Sequence, residues 1–146
     1  MPALVVPSEY GYVLAAAITG GLQLTWMGLR VGKARKQAGV PYPYVYAEKA
    51  EAEKDYNKHL FNCVQRVHQN SLENFPIFAI LLLTGGLRHP LVSAGAGAVY
   101  LLGRFAYAFG YYTGKPEKRA RGAFAYLGML TLLGTSISTC YNLLAA

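Results

Sequence analysis

The chain has 146 residues, of which 53% are apolar and only 14% charged, whereas a soluble domain of that length usually carries about a quarter charged residues. The composition therefore excludes an ordinary soluble globular domain. The formal net charge of +7 invites a nucleic-acid reading, but no nucleic-acid-binding module accompanies it, and we expect no nucleic-acid partner.

Taken in chain order, the residues predict one all-α domain over 1–146, an integral membrane protein of four transmembrane helices running up and down at about 8–38, 57–87, 90–114 and 117–145. The first helix contains an uncharged run of 20 residues, Tyr10 to Leu29, enough to cross a hydrocarbon core about 30 Å thick. It lacks the basic leader and short apolar stretch of a cleavable signal, so it is expected to stay as an anchor. The first connection follows, with Pro41-Tyr42-Pro43-Tyr44 and then Glu48, Glu51, Glu53 and Asp55 mixed with lysines. Its prolines prevent helix and predict an ordered turn leading to a solvated approach.

The second helix is less clean, because the uncharged run Asn74 to Leu87 has only 14 residues. It reaches spanning length only by extending back through Glu73 and Asn70 toward Arg66. Arg66, Asn70 and Glu73 stand at i, i+4 and i+7, on one helical face. Pro76 falls within the same helix and is expected to kink it. The third helix has a 15-residue uncharged run, His89 to Gly103, and recovers its length by admitting Arg104. Arg104, Tyr107 and Tyr111 repeat the same spacing, with Tyr100 one turn earlier. Gly85, Gly86, Gly95, Gly97, Gly103 and Gly110 are read as places of close helix approach. The fourth helix draws its spanning length from the 25 uncharged residues from Gly122 to Ala146.

Lys and Arg outside the spans set orientation. Arg30, Lys33, Arg35, Lys36, Lys49, Lys54 and Lys58 crowd the first connection, Lys115, Lys118, Arg119 and Arg121 the third, and Arg88 alone the second. Connections one and three are thus expected in the cytosol and both termini on the luminal side. Anionic lipid headgroups account for the basic excess. Cys63 and Cys140 are not expected to pair, and two distant cysteines make no metal motif.

Ionisable groups at membrane depth are costly and usually face a partner or a wet cavity. Two stripes, each with an arginine and hydrogen-bonding groups, would enclose a polar pocket suited to a small zwitterion with more carboxylates than amines. The alternative is structural: ion pairs from Arg66 or Arg104 to Glu73 that pin helices together, with tyrosines as interface anchors. Spacing alone leaves both open.

The string Phe61-Asn62-Cys63-Val64-Gln65-Arg66-Val67-His68-Gln69-Asn70-Ser71-Leu72-Glu73, with Phe75-Pro76 behind it, resembles the second-helix signature of the MAPEG family, the membrane-associated proteins in eicosanoid and glutathione metabolism. Lys33-Ala34-Arg35-Lys36, His68-Gln69-Asn70, Gly110-Tyr111-Tyr112-Thr113-Gly114-Lys115-Pro116 and Lys118-Arg119 resemble its type 3 microsomal glutathione S-transferase branch. The resemblance implies a homotrimer in the endoplasmic reticulum membrane that binds glutathione as co-substrate between subunits, without a metal. By position in the motif, Glu73 would take the glutathione amino group beside Asn70, and Arg66 one carboxylate. Arg35 of an adjacent subunit would reach the other carboxylate. Arg104, Tyr107 and Tyr111 would line the site, with His68 a further candidate. Arg119 would stand at the sulfur, with Arg121 the alternative because the preceding turn varies in length among members. His68 and Asn74 depart from the glutamine and tyrosine of the leukotriene-forming branch. The implied activity is transfer of glutathione to a lipophilic electrophile and glutathione peroxidase action on a lipid hydroperoxide. A non-catalytic lipid-binding scaffold of the same family is the alternative.

Overall fold

In a computed structural model the described residues, 5–145, are all-helical. The helices are α1 (Tyr10–Ala38), α2 (Lys49–Ala52), α3 (Tyr56–Gly86), α4 (Pro90–Tyr111) and α5 (Ala125–Leu144), with a 3₁₀ segment at Pro116–Gly122 before α5. Three of them, α1, α4 and α5, are long and apolar enough to cross a membrane. α3 has the length, at 31 residues, but the part up to Glu73 carries Lys58, His59, Arg66, His68 and Glu73 itself, which removes it from that class on composition. It runs unbroken through Pro76.

Many large apolar side chains point outward: Leu14, Ile18, Leu22 and Leu29 of α1, Leu91 and Leu102 of α4, and Leu127, Leu130 and Ile137 of α5 are all exposed. A water-soluble monomer rarely exposes apolar side chains so extensively, whereas a bilayer solvates such a face at no cost.

The chain divides into two compact units. The first comprises the chain up to Gly21, Phe75–Leu102 and Phe124 onward. Its core is Val13, Phe78, Leu82, Ala96, Tyr100, Leu101, Ala125 and Leu132, with Phe78 stacked on Tyr100 at 4.2 Å between ring centroids. Small residues bring its backbones together. A Cβ at Gly85 would run into the Thr135 hydroxyl and lie 3.0 Å from Ser93 Oγ, and one at Gly86 would lie 2.7 Å from Val13. Ser93 donates to Thr135 at 3.1 Å and Ser136 to the Leu81 carbonyl at 2.7 Å. Gly97 also packs closely, 3.0 Å from Leu82, but Gly95 faces open space, contrary to expectation.

The second unit comprises Leu22–Asn74 and Gly103–Ala123. It has two apolar clusters, one around Ala34, Ala38, Val40, Ala47, Phe61 and Val64, the other around Met27, Cys63, Val67, Ala108 and Tyr111. Cys63 is buried, and both it and the exposed Cys140 of the first unit are free thiols.

Two boundaries differ from the sequence reading. α4 stops at Tyr111 rather than 114, because Gly114 takes a φ of +73° against the Tyr56 ring, a backbone region that suits glycine. α5 starts at Ala125 rather than 117: Pro116–Gly122 is a 3₁₀ turn, unusually long for that geometry. The first connection also contains the single-turn α2, where only a turn and a solvated approach were expected.

Candidate functional site

The second unit gathers most of the polar side chains singled out in the sequence. On α3, Arg66 Nη1 reaches Glu73 Oε1 at 3.1 Å and Oε2 at 3.4 Å. The i, i+7 spacing puts both on one face two turns apart, and long side chains close the gap. The pair is half-exposed, 42% for Arg66 and 48% for Glu73.

Arg104 of α4 is buried, 8% exposed. Its Nη2 donates to Asn70 Oδ1 at 2.9 Å and to Ser71 Oγ at 2.7 Å, and its guanidinium lies 4.2 Å from the Tyr107 ring centroid. Ser71 in turn donates to the Val67 carbonyl at 2.8 Å. The Arg104 Nε is buried without a hydrogen-bond partner. A planar cation stacked on one face and bonded at one edge is fixed in orientation, a role lysine could not fill.

Tyr107 packs against Tyr111 at 5.2 Å between centroids, and Arg119 Nη1 donates to the Tyr111 hydroxyl at 3.4 Å. That hydrogen bond raises the pKa of the Arg119 guanidinium, which is cationic at any physiological pH. Arg119 reaches Tyr111 because the 3₁₀ segment lies directly on α4. A Cβ at Gly110 would strike the Lys118 carbonyl; one at Gly122 would strike the Gly103 carbonyl and lie 2.6 Å from Tyr107 Cβ. Arg121, on the same segment, is exposed.

Arg35 and His68 are placed elsewhere. Arg35 Nη1 donates to the carbonyls of Val40, Pro41 and Tyr44 at 3.4, 3.5 and 2.6 Å. Its guanidinium lies over the rings of Tyr42 and Phe61 at 4.6 and 4.9 Å. It organises the first connection of its own chain. His68, two residues from Arg66 and so on another face of α3, has its ring against Gly28 of α1, 3.5 Å from where a Cβ would stand.

Four residues next to the cluster, Ser71, Asn62, Tyr46 and Gln69, carry no site role in the sequence pattern. Ser71 anchors Arg104. Asn62, at i−4 from Arg66, continues the α3 stripe; its amide accepts from Ala47 N at 2.8 Å and donates to Ala47 O at 3.0 Å. Tyr46 donates its hydroxyl to Gln69 Oε1 at 2.8 Å. Extending the i, i+4 pattern one turn back would have found Asn62, but nothing in the spacing announces Tyr46, whose position depends on the fold of the first connection.

A helical protein with membrane-length apolar helices and an Arg–Glu, Arg–Asn–Ser and Arg–Tyr cluster is of the kind the α3 motif describes, and comparison with known proteins agrees. The MAPEG family profile matches residues 13–141. Microsomal glutathione S-transferase 2 of Homo sapiens is 33% identical over 120 residues, 82% of this chain and 74% of that protein. The Mus musculus protein of the same name is 31% identical over the same shares. An uncharacterised Synechocystis protein is 32% identical over 117 residues, 79% of this chain and 78% of its own. The chain belongs to the MAPEG family. These two mammalian relatives carry the type 2 designation rather than the type 3 that the motif strings resemble.

Proposed function

We propose that this protein is a membrane-bound glutathione transferase that also reduces lipid hydroperoxides. The observation that carries the reading is the convergence, in one unit, of Arg66, Glu73, Asn70, Arg104, Tyr107, Tyr111 and Arg119. Both mammalian relatives are named glutathione S-transferases, which supports it. Glu73 receives the glutathione amino group, Arg66 a carboxylate, and Asn70 a hydrogen bond. Arg104 and the two tyrosines hold the tripeptide in place. Within the family, the His68-Gln69-Asn70 and Gly110-to-Pro116 strings favour the type 3 branch.

Arg119 acts on the thiol. An alkyl thiol has a pKa of roughly 8.5 and is mostly protonated at neutral pH, while the thiolate is the nucleophile. A nearby guanidinium favours the anion, each pKa unit corresponding to about 1.4 kcal/mol. In conjugation, sulfur forms a bond to an electrophilic carbon and the displaced or opened group takes the electron pair and a proton. In peroxide reduction, sulfur attacks the terminal peroxide oxygen, the O–O bond breaks and the lipid leaves as its alcohol. The resulting sulfenic acid condenses with a second glutathione to give the disulfide and water. The lipid partner reaches the site from the bilayer.

We further propose that α3 is the fourth span, that three copies assemble, and that the chain resides in the endoplasmic reticulum with connections one and three cytosolic. The buried polar anchoring of Arg104 beside an ion pair open to solvent supports an enzyme over a lipid-binding scaffold.

The test is kinetic. Arg119→Ala, purified in detergent, is expected to lose at least about tenfold in kcat toward a generic electrophile while its glutathione affinity changes far less. Unchanged turnover would remove Arg119 from the mechanism and direct attention to Arg121. Millimolar glutathione is expected to raise the wild-type Tm, since a ligand that binds only the native state stabilises it.

A further inference from the structure

Tyr46 lies in the first connection, distant in sequence from every residue of the α3 motif, yet it is held at the polar face of α3 by contacts from both helices flanking that connection. From α1, Arg35 draws the Val40, Pro41 and Tyr44 carbonyls together. From α3, Asn62 grips both the N–H and the carbonyl of Ala47, the residue after Tyr46. Ala47 is itself buried in the cluster with Ala34, Phe61 and Val64. The connection is thereby fixed on either side of Tyr46, and the tyrosine hydroxyl donates to Gln69 at 2.8 Å.

Gln69 is one turn beyond Arg66, so this hydroxyl stands at the Arg66–Glu73 end of the site. Both charged groups are close enough to act on it, Arg66 more strongly than Glu73. Burial outweighs the guanidinium and raises the Tyr46 pKa, which keeps the hydroxyl a donor throughout the neutral and mildly alkaline range. On its other side Tyr46 helps line a cavity of about 360 Å³ with Tyr44, Glu48, Glu51 and Lys58.

We infer that Tyr46 is a glutathione-positioning residue, acting through Gln69 and Arg66: bonded to one and beside the other, it sets the direction in which the Arg66 guanidinium is presented to a ligand carboxylate. Glutathione arriving at Glu73 and Arg66 separates two side chains that are otherwise paired. A freed arginine has many rotamers, and a neighbour that limits them lowers the entropic cost of binding. The effect belongs to binding and not to the sulfur chemistry, which lies with Arg119. The inference rests on the glutathione reading above.

The experiment is calorimetric titration of detergent-purified protein with glutathione, paired with steady-state kinetics. Tyr46→Phe keeps the ring and its packing. It is expected to raise the Kd and KM for glutathione about five- to tenfold while kcat at saturating glutathione stays within about twofold. Gln69→Ala is expected to do the same, and the double variant to be no worse than either single one, because the two act through one hydrogen bond. Tyr44→Phe, whose ring is exposed, is expected to match wild type. If wild type binds glutathione and Tyr46→Phe binds it equally well, or if its kcat falls instead, the positioning role is overturned while the glutathione reading stands. If wild type gives no binding signal at millimolar glutathione, both fall.

Discussion

At the scale of single residues, Arg66 and Arg104 differ in what the loss of a partner costs. Arg66 and Glu73 form a half-exposed pair, and such pairs contribute about 0–1 kcal/mol. Glu73→Gln is therefore expected to shift the Tm by little and to weaken glutathione binding at least about tenfold by removing a charge-assisted partner of the ammonium. Calorimetry and thermal unfolding of the same sample check both halves. Ser71→Ala is the opposite case. It strips an acceptor from the buried Arg104, and a buried donor left unmade costs about 1–3 kcal/mol. The variant is expected to unfold at a lower temperature in the absence of any ligand. The i, i+4, i+7 pattern makes Arg66, Asn70 and Glu73 legible as one face from the sequence alone. The same pattern left open whether Arg66 or Arg104 would pair with Glu73, and that Arg104 bonds Asn70 and Ser71 instead depends on helix rotation that spacing does not set. Arg35 adds a contact that no spacing announces: its guanidinium binds three carbonyls of its own connection, while the role its motif position implies is one played toward an adjacent subunit.

At the scale of elements, long uncharged runs marked α1 and α5 because each needs only hydrophobic length, whereas α3 and α4 reach spanning length only by admitting their polar stripes. The 3₁₀ segment was not legible. Pro116 through Gly122 lacks an apolar period, and its conformation follows from what it lies on. Gly110 and Gly122 permit that contact, each at a point where a Cβ would meet backbone of the other element. Close approach was the expected role of Gly110, but the partner is this turn and not another helix. Gly110→Val is accordingly expected to lift the segment off α4, to lengthen the Arg119–Tyr111 separation and to lower kcat as severely as Arg119→Ala does. Overpacking of this kind also costs about 1–3 kcal/mol, so the Tm is expected to fall, and combining Gly110→Val with Arg119→Ala should add no further loss of rate.

At the scale of the whole molecule, chemistry and packing are apportioned between the two units. The candidate site belongs to the second, and the first holds no member of it. Substitutions confined to the first unit should thus change stability without changing glutathione affinity in the folded fraction. Gly85→Val, which would strike Thr135 and Ser93, is the sharpest such variant, expected to lower the Tm by an amount corresponding to about 1–3 kcal/mol with an unaltered Kd by calorimetry. The Ser93–Thr135 and Ser136–Leu81 hydrogen bonds of that unit have a bearing on handling the protein outside a bilayer. Neither acyl tails nor detergent tails offer an oxygen to those hydroxyls, so no surfactant interior can compete for them. Extraction should leave that seam fastened, and any activity lost during solubilisation would originate in the wetter half, where water, micelle headgroups and counterions can all reach Arg66 and Glu73.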